Sequence, residues 1–534
     1  MGETLQPVTP RFNRSLRVEC RQDRLTGEPG AVLLREILEA SGIVDWLGAR
    51  LKDPRRQADV LHDLPSLLRT AVLLAAQGWR DHDDADALRL DPAMRLACSS
   101  SAGLTPLVAG AGLASQPTLS RFTAIIAQAD NLKALRDGVL ELAARGLRAE
   151  NGGRERPRVT LDVDSLPIDV HGHQPKAEWN GHYNARIYHP LITSIAETGD
   201  MLDGRLRPGT VGTADGALDV VLDVVDRARE SGLCGVAMVR MDAGFPSATL
   251  LAGLEARSID YVARLRANPA LDRIAAPYMK RPRGRRPHKP RLWTHVLQYR
   301  AESIRLDQAD FGVQLRSALT SAFAVSRSLR MSVTMATLAG LPASRNAAYF
   351  DLRSGLNRMA TSWDKPRRVI LMVKERPDDL LLDRFFLVTS LTWRQMASCE
   401  VLEHYRKRGK AEGHMGELKD VLAPALSSTN RPKTHVRGRK LRSTTPAIDA
   451  FACNEVRMLI SMMAYQLMHI ARRAMARATG TGWSPRRLRE RVLRAGARLI
   501  ISARRMTLTL STAAASIWAI LWPEVTALKW ATDP

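Results

Sequence analysis

Cysteine is scarce in this chain. The five present, Cys20, Cys98, Cys234, Cys399 and Cys453, are odd in number, scattered, and never arranged as a Cys-x-x-Cys pair. That pattern does not fit a structural zinc site and makes a reducing cytoplasm the expected setting. Long apolar runs are lacking too: none reaches the ~20 residues of a membrane span, and the N-terminus has no signal-peptide core. The most apolar helical stretch, Ile448 to Ile470, is interrupted by Asn454, Glu455 and Arg457 and reads as a buried helix. Acidic residues are the largest deficit. Asp plus Glu number 55 against 79 Lys plus Arg, a net charge of +24. A surplus of that size points to a polyanionic partner.

The positive charge is clustered. Lys280 to Arg291 holds seven cations and no acid, and Arg431 to Arg442 holds six. Proline and glycine make the first run a poor helix, so it reads as an arm laid along phosphates, with Arg283, Arg285 and Arg286 as candidate contacts. A solvated loop is the plainer alternative. Arg486 to Arg494 looks helical and suits a DNA backbone crossing. His171, His173, His182 and His189 fall in a strand-to-loop region and are read as loop residues rather than a metal cluster.

A chain of 534 residues exceeds one compact domain. Apolar periodicity predicts helices over Leu33–Leu47, Leu64–Gly78, Pro117–Ala127 and Leu132–Leu147. Ser115 and Pro117 mark a helix start whose polar end suits a major groove, although a plain structural helix is the simpler reading. Beyond residue 150 the pattern changes. Arg158 to Ser165 alternates as a strand and puts Thr160, Asp162 and Asp164 on one side. Two β-like runs follow, Ile187–Glu197 and Met201–Arg207, joined by a tight turn at Thr198-Gly199-Asp200. Next come a helix from about Ala214 to Glu230, a strand ending at Asp242, a helix from about Ser247 to Ala256, and a strand at Tyr261–Leu265. The order is β-β-β-α-β-α-β. It is the order of the ribonuclease-H-like fold, in which the first strand meets the tip of the fourth and Asp164 nears Asp242. Ser332–Met335, Val369–Val373 and Phe385–Ser390 also look β-like, so a β-rich insertion is expected between 271 and 383.

The most pointed motif lies downstream. Tyr405, Arg408, Glu412 and Lys419 follow at spacings of three, four and seven, and at about 100° per residue they share one helix face. A carboxylate among a phenol and two cations suits a divalent ion with phosphates around it. An ordinary solvated helix face is the commoner meaning of such a stripe.

Taken together, these stretches resemble the bacterial insertion-sequence transposases of the DDE class. The match is to the subgroup with the Tyr-Arg-Glu-Lys helix signature, and most to insertion-sequence family thirteen-eighty. The resemblance rests on Leu113–Arg121, Leu161–Ser165 with His171–Gln174, Met241–Gly244, Tyr405–Lys419 and Ala464–Leu467. It implies a catalytic, metal-holding triad of Asp164, Asp242 and Glu412, with Asp162 the residue easily mistaken for Asp164. It also implies DNA-holding roles for Tyr405, Arg408, Lys419 and Arg264, and places Phe385 where relatives stack a flipped base, although a paired Phe385-Phe386 in a strand is more often core. Two Mg²⁺ ions, with Mn²⁺ as a substitute, would serve phosphoryl displacement. The expected partners are double-stranded terminal inverted repeats, target DNA and a second copy of the chain, with no membrane. The expected architecture is α/β: a ribonuclease-H-like catalytic domain (151–270 and 384–475) interrupted by a β-rich insertion (271–383). A helical DNA-binding region (1–150) precedes it and a basic C-terminal region (476–534) follows. Gly413 stands where the family usually has an amide, and Gly416 where a basic residue is usual. A DNA-binding descendant that no longer cuts, and a plain nuclease that does not join strands, fit the same residues.

Overall fold

The structure is a computed structural model that describes residues 7–19, 23–108, 112–154, 156–281, 284, 288–297, 363, 365, 367–379, 381–428, 435–436, 439–440 and 449–530. The chain is mixed α/β and divides into two units, Arg154–Gly416 and Met1–Gly153 with Glu417–Pro534.

The Arg154–Gly416 unit is built on an eight-stranded sheet. Its strands, with three short ones between the first and second, are β1 (Arg156–Ser165), β2 (Ile168–Asp169), β3 (Glu178–Asn180), β4 (Ala185–Tyr188), β5 (Leu191–Ile195), β6 (Met201–Arg205), β7 (Cys234–Met241), β8 (Asp260–Leu265), β9 (Arg291–Leu297), β10 (Arg368–Glu375) and β11 (Leu382–Thr389). The large sheet runs β9-β10-β11-β8-β7-β1-β5-β6, while β2, β4 and β3 form a small sheet of their own. Only the β1–β7 and β7–β8 pairings are parallel. Helices Ala217–Glu230 and Ala248–Ala256 make the crossovers that parallel pairing requires. Ser247 starts the second by accepting the Leu250 N–H at 3.2 Å.

Two expectations change here. The run Ile187–Glu197 is not one strand: His189-Pro190 divides it, so β4 joins the small sheet and β5 the large one. Proline has no N–H to give a ladder, and the chain uses that gap to change sheets. The described ends of the 271–383 segment also form no sheet of their own. β9 and β10 extend the main sheet through β11, which pairs with β8 by Leu387 opposite Arg264. The middle of that segment, including Ser332–Met335, lies outside the described residues.

This extension has a packing consequence. Met238, Val262, Ile370, Met372 and Leu387, from β7, β8, β10 and β11, form one buried cluster with Val401 and Leu402 of the helix Ser398–Arg406. The added strands thus provide the floor on which that helix lies. Fully burying each such side chain contributes about 1.5–3 kcal/mol.

The other unit is mostly helical. Helix Ala450–Thr479 is buried almost all round and packs against Leu64–Gln77, Ala129–Glu150 and Thr512–Thr526. N-terminal and C-terminal segments therefore share one core. The predicted Leu33–Leu47 helix is two helices, Gly30–Ser41 and Ile43–Gly48, because Gly42 takes φ +63° between them. Helix Gln116–Ile126 carries Pro117 in its first turn, but the Ser115 side chain makes no cap bond. Among the described residues no helix is long and apolar enough to cross a membrane.

Candidate active site

Parity puts Asp162 and Asp164 on the same side of β1, yet their surroundings differ sharply. Asp162 is 1% exposed and lies directly across the ladder from Arg240 of β7. The Arg240 Nε and Nη2 donate to its two oxygens at 2.6 Å each, a bidentate pair. Nη1 of the same guanidinium donates to the His404 carbonyl at 2.6 Å. One buried arginine therefore ties β1 and β7 to the last turn of the Ser398–Arg406 helix. Both Asp162 oxygens are thus engaged by one buried guanidinium.

Asp164 sits two residues on, at the strand end. Its Oδ2 accepts from Arg408 Nη2 at 2.5 Å and its Oδ1 from the Ser165 N–H at 2.9 Å. Asp242 follows β7, and Tyr405 Oη donates to its Oδ1 at 3.2 Å. Glu412 Oε1 accepts from Arg408 Nη1 at 2.8 Å, and the same nitrogen lies 3.9 Å from Asp242 Oδ1. Arg408, itself 6% exposed, is the point on which all three carboxylates converge. Among the described residues no three acidic or imidazole groups surround a common metal position. The guanidinium stands between these three instead.

The electrostatics follow from that arrangement. Burial pushes the Asp164 carboxyl up to about 6, Arg408 and the Ser165 N–H pull against the rise, and Asp242 and Glu412 add to it. Burial would lower Arg408, but Asp164, Asp242 and Glu412 hold it above its ordinary value. Burial first, and then Asp242, push the Tyr405 phenol up to about 12, so it stays a hydrogen-bond donor at neutral pH.

The Tyr405–Lys419 stretch is not a single helix, which corrects the one-face reading. Helix Ser398–Arg406 ends, Lys407 and Arg408 form a turn, helix Gly409–Glu417 begins, and Leu418–Leu422 is a π-helical turn. Glycine favours breaks, and Gly409, Gly413 and Gly416 weaken the second helix by about 1 kcal/mol each relative to Ala. The break is what sends Arg408 inward. The second helix buries Ala411 and Met415, leaving Glu412 in its first turn. The β5–β6 turn comes so close that a Cβ on Gly199 (φ +83°) would meet His414 at 2.5 Å. Lys419 lies in the π-turn, which belongs to the other unit.

Phe386 is wholly buried, whereas Phe385 is half-buried. The Phe385 ring lies 6.2 Å from Tyr405, and the exposed Arg264 guanidinium stands 5.5 Å from its centroid. Arg283, Arg285 and Arg286 lie outside the described residues.

Two neighbours had escaped the sequence reading. Arg240 is one, hidden in an apolar run where only its position opposite Asp162 reveals the pairing. Tyr183 is the other: burial, then Asp164 and Asp242, raise its phenol, so it stands within their electrostatic reach. It lies on the β3–β4 turn, and no motif pointed to it.

The family described as "Transposase DDE domain group 1" matches residues 8–309 and 323–528. The chain belongs to the DDE transposase family. No curated protein sequence matches this DDE transposase. Among solved structures, a piggyBac transposase synaptic complex with hairpin DNA shares 13% identity over 91% of this chain and 81% of that one, with a TM-score of 0.37. A likeness that remote carries no argument.

Proposed function

We propose that this DDE transposase binds the terminal inverted repeats of its element, cuts them by divalent-metal-dependent phosphodiester cleavage, and joins the freed ends to target DNA as a dimer. The observation carrying this reading is the convergence of Asp164, Asp242 and Glu412 on the single guanidinium of Arg408. A carboxylate-only donor set suits a hard cation such as Mg²⁺, with Mn²⁺ as a substitute. Bound there, a pair of such ions would activate the attacking oxygen and stabilise the leaving one.

The side chains divide the remaining work. Asp164 and Glu412, each now paired with Arg408, would turn their oxygens to the metals. Arg408 keeps the three carboxylates from repelling one another until then and, once displaced, can hold a phosphate. Tyr405 orients Asp242 through its hydroxyl. Arg240 fixes the helix end carrying Tyr405. A water, and later a DNA 3′-hydroxyl, would attack the phosphorus, with hairpin formation on the opposite strand as the proposed route. The ribonuclease-H-like assignment belongs to the same proposal and is supported by the order β6-β5-β1-β7-β8 with a helix before β7 and another before β8.

The test is an end-cleavage assay on DNA carrying the inverted repeats that flank the gene. With Mg²⁺ the wild type should cut and join, whereas Asp242→Ala and Glu412→Gln should bind those ends and leave them intact. Cleavage by either variant would overturn the triad.

A further inference from the structure

The small β2-β4-β3 sheet has no part in the chemistry above, yet it is placed and built with care. It leaves the main sheet just after Asp164 and rejoins at β5, where Leu191 pairs with Ser165 and Ile192 with Asp164. Its base is therefore at the carboxylate end of the sheet. Its tip folds back: the Tyr183 ring packs edge-on against His189 at 5.7 Å, and His189 is three residues from Ile192.

The flap is also held rigidly. Gly209 of the following loop lies so close that a Cβ there would meet the Ile187 and Glu178 carbonyl oxygens at 2.3 and 2.6 Å. The Gly209 N–H donates to Lys176 O at 3.2 Å, Asn180 Nδ2 donates to Gly209 O at 2.8 Å, and Thr210 Oγ1 donates to Glu178. Arg207 Nε donates to the His189 carbonyl at 2.9 Å, and the His189 N–H donates to Arg207 O at 3.1 Å.

What this scaffold presents is aromatic. Trp179 is 58% exposed and Tyr183 38% exposed. Trp179 lies directly across the β3–β4 ladder from exposed Arg186, so ring and guanidinium share one face. Glu178, the acid beside Trp179, is turned to Thr210. A rigid backbone thus keeps two large rings partly in water on one small sheet, whose base leaves β1 just after Asp164. Rings of this kind stack on bases, and an adjacent arginine adds a cation to the stack.

We propose that the β2-β4-β3 flap is a stacking platform for an unpaired nucleobase of the DNA strand entering the site, with Trp179 and Tyr183 as its rings. This rests on the transposase reading above and adds a DNA-binding surface to it. Stacking is blind to base identity, so the platform accepts any base the strand presents.

The experiment uses the full-length chain and a duplex oligonucleotide with a single-stranded overhang carrying one 2-aminopurine, without divalent metal so that nothing is cut. Wild type should quench the probe on binding. Trp179→Ala and Tyr183→Ala should lose most of the quenching and bind roughly 5- to 100-fold more weakly, while Tyr183→Phe, which keeps the ring, should quench like wild type. A fully duplex probe should be bound almost equally by all four proteins, which shows that the variants are folded. Equal quenching by all four on the overhang probe would overturn the platform. So would a wild-type minus Trp179→Ala difference emission that shifts with protein concentration alone, which would mean that a second copy of the chain covers the face. Wild type that fails to bind either probe would sink the transposase reading first, and wild-type binding of both probes with unaffected alanine variants would sink only this inference.

Discussion

Replacing Arg408 by Met tests the electrostatic core of the site. This guanidinium is bonded to Asp164 at 2.5 Å and Glu412 at 2.8 Å, and its own side chain is 8% exposed. Removing one partner from a fully buried pair costs about 3–5 kcal/mol, because the remaining charge is left without a counter-ion. Asp164 keeps 21% of its side-chain exposure and Glu412 61%, so water recovers part of that loss and about 2–3 kcal/mol is expected. For a unit of this size that lowers the melting midpoint by roughly 4–12 °C. Divalent metal should reverse the order. A cation entering the variant displaces nothing, whereas in wild type it must displace Arg408, so millimolar Mg²⁺ should raise the variant's midpoint more than the wild type's. Thermal unfolding followed by circular dichroism, with and without Mg²⁺, reads both effects. Equal midpoints without metal, or a larger Mg²⁺ effect on wild type, would refute the reasoning.

Arg240→Met should cost about 3–5 kcal/mol by stranding the buried Asp162 carboxylate, and Arg240→Met with Asp162→Leu should recover much of it, read by urea unfolding; a double variant no better than the single would contradict the pairing account. His82 supplies a pH test in the helical unit. Burial, then Arg457, depress its imidazole to about 3. The native protein therefore refuses a proton that the unfolded chain accepts below about 6.5, so this contribution is complete above pH 6.5 and is lost as pH falls toward 3, at about 1.4 kcal/mol per pH unit. His82→Leu should flatten the stability–pH curve between pH 6.5 and 5 by about that slope, and an unchanged slope would contradict the assignment.

The main-sheet strand order from Arg158 to Leu265 was legible because alternation and turn residues report local geometry directly, whereas the small β2-β4-β3 sheet was not. The nearness of Asp164, Asp242 and Glu412 to one another around Arg408 was legible too, although only through a family pattern. Asp162 and Asp164 share strand parity, and what separates them is Arg240, a partner in the adjacent strand that no local signal announces. Helical spacing made Tyr405, Arg408 and Glu412 neighbours on one face; they are neighbours, but through a turn at Lys407–Arg408 that the three glycines hinted at and the periodicity concealed. A short continuous apolar run marked Val369–Val373 as a strand without saying which sheet it joins, since pairing depends on exposed edges distant in sequence. The stretch Ile448–Ile470 read as a buried helix because it is largely apolar, and helix Ala450–Thr479 is buried almost all round, polar residues such as Asn454 and Gln466 included.

The most direct measurement replaces Mg²⁺ by Fe²⁺ and, on adding peroxide and ascorbate, maps where hydroxyl radicals born at the bound ion cut the polypeptide. The account predicts Mg²⁺-competed cuts in three separate places, beside Asp164, beside Asp242 and beside Glu412, all weakened in Asp242→Ala. Cuts confined to one of these segments, or clustered elsewhere in the chain, would contradict it.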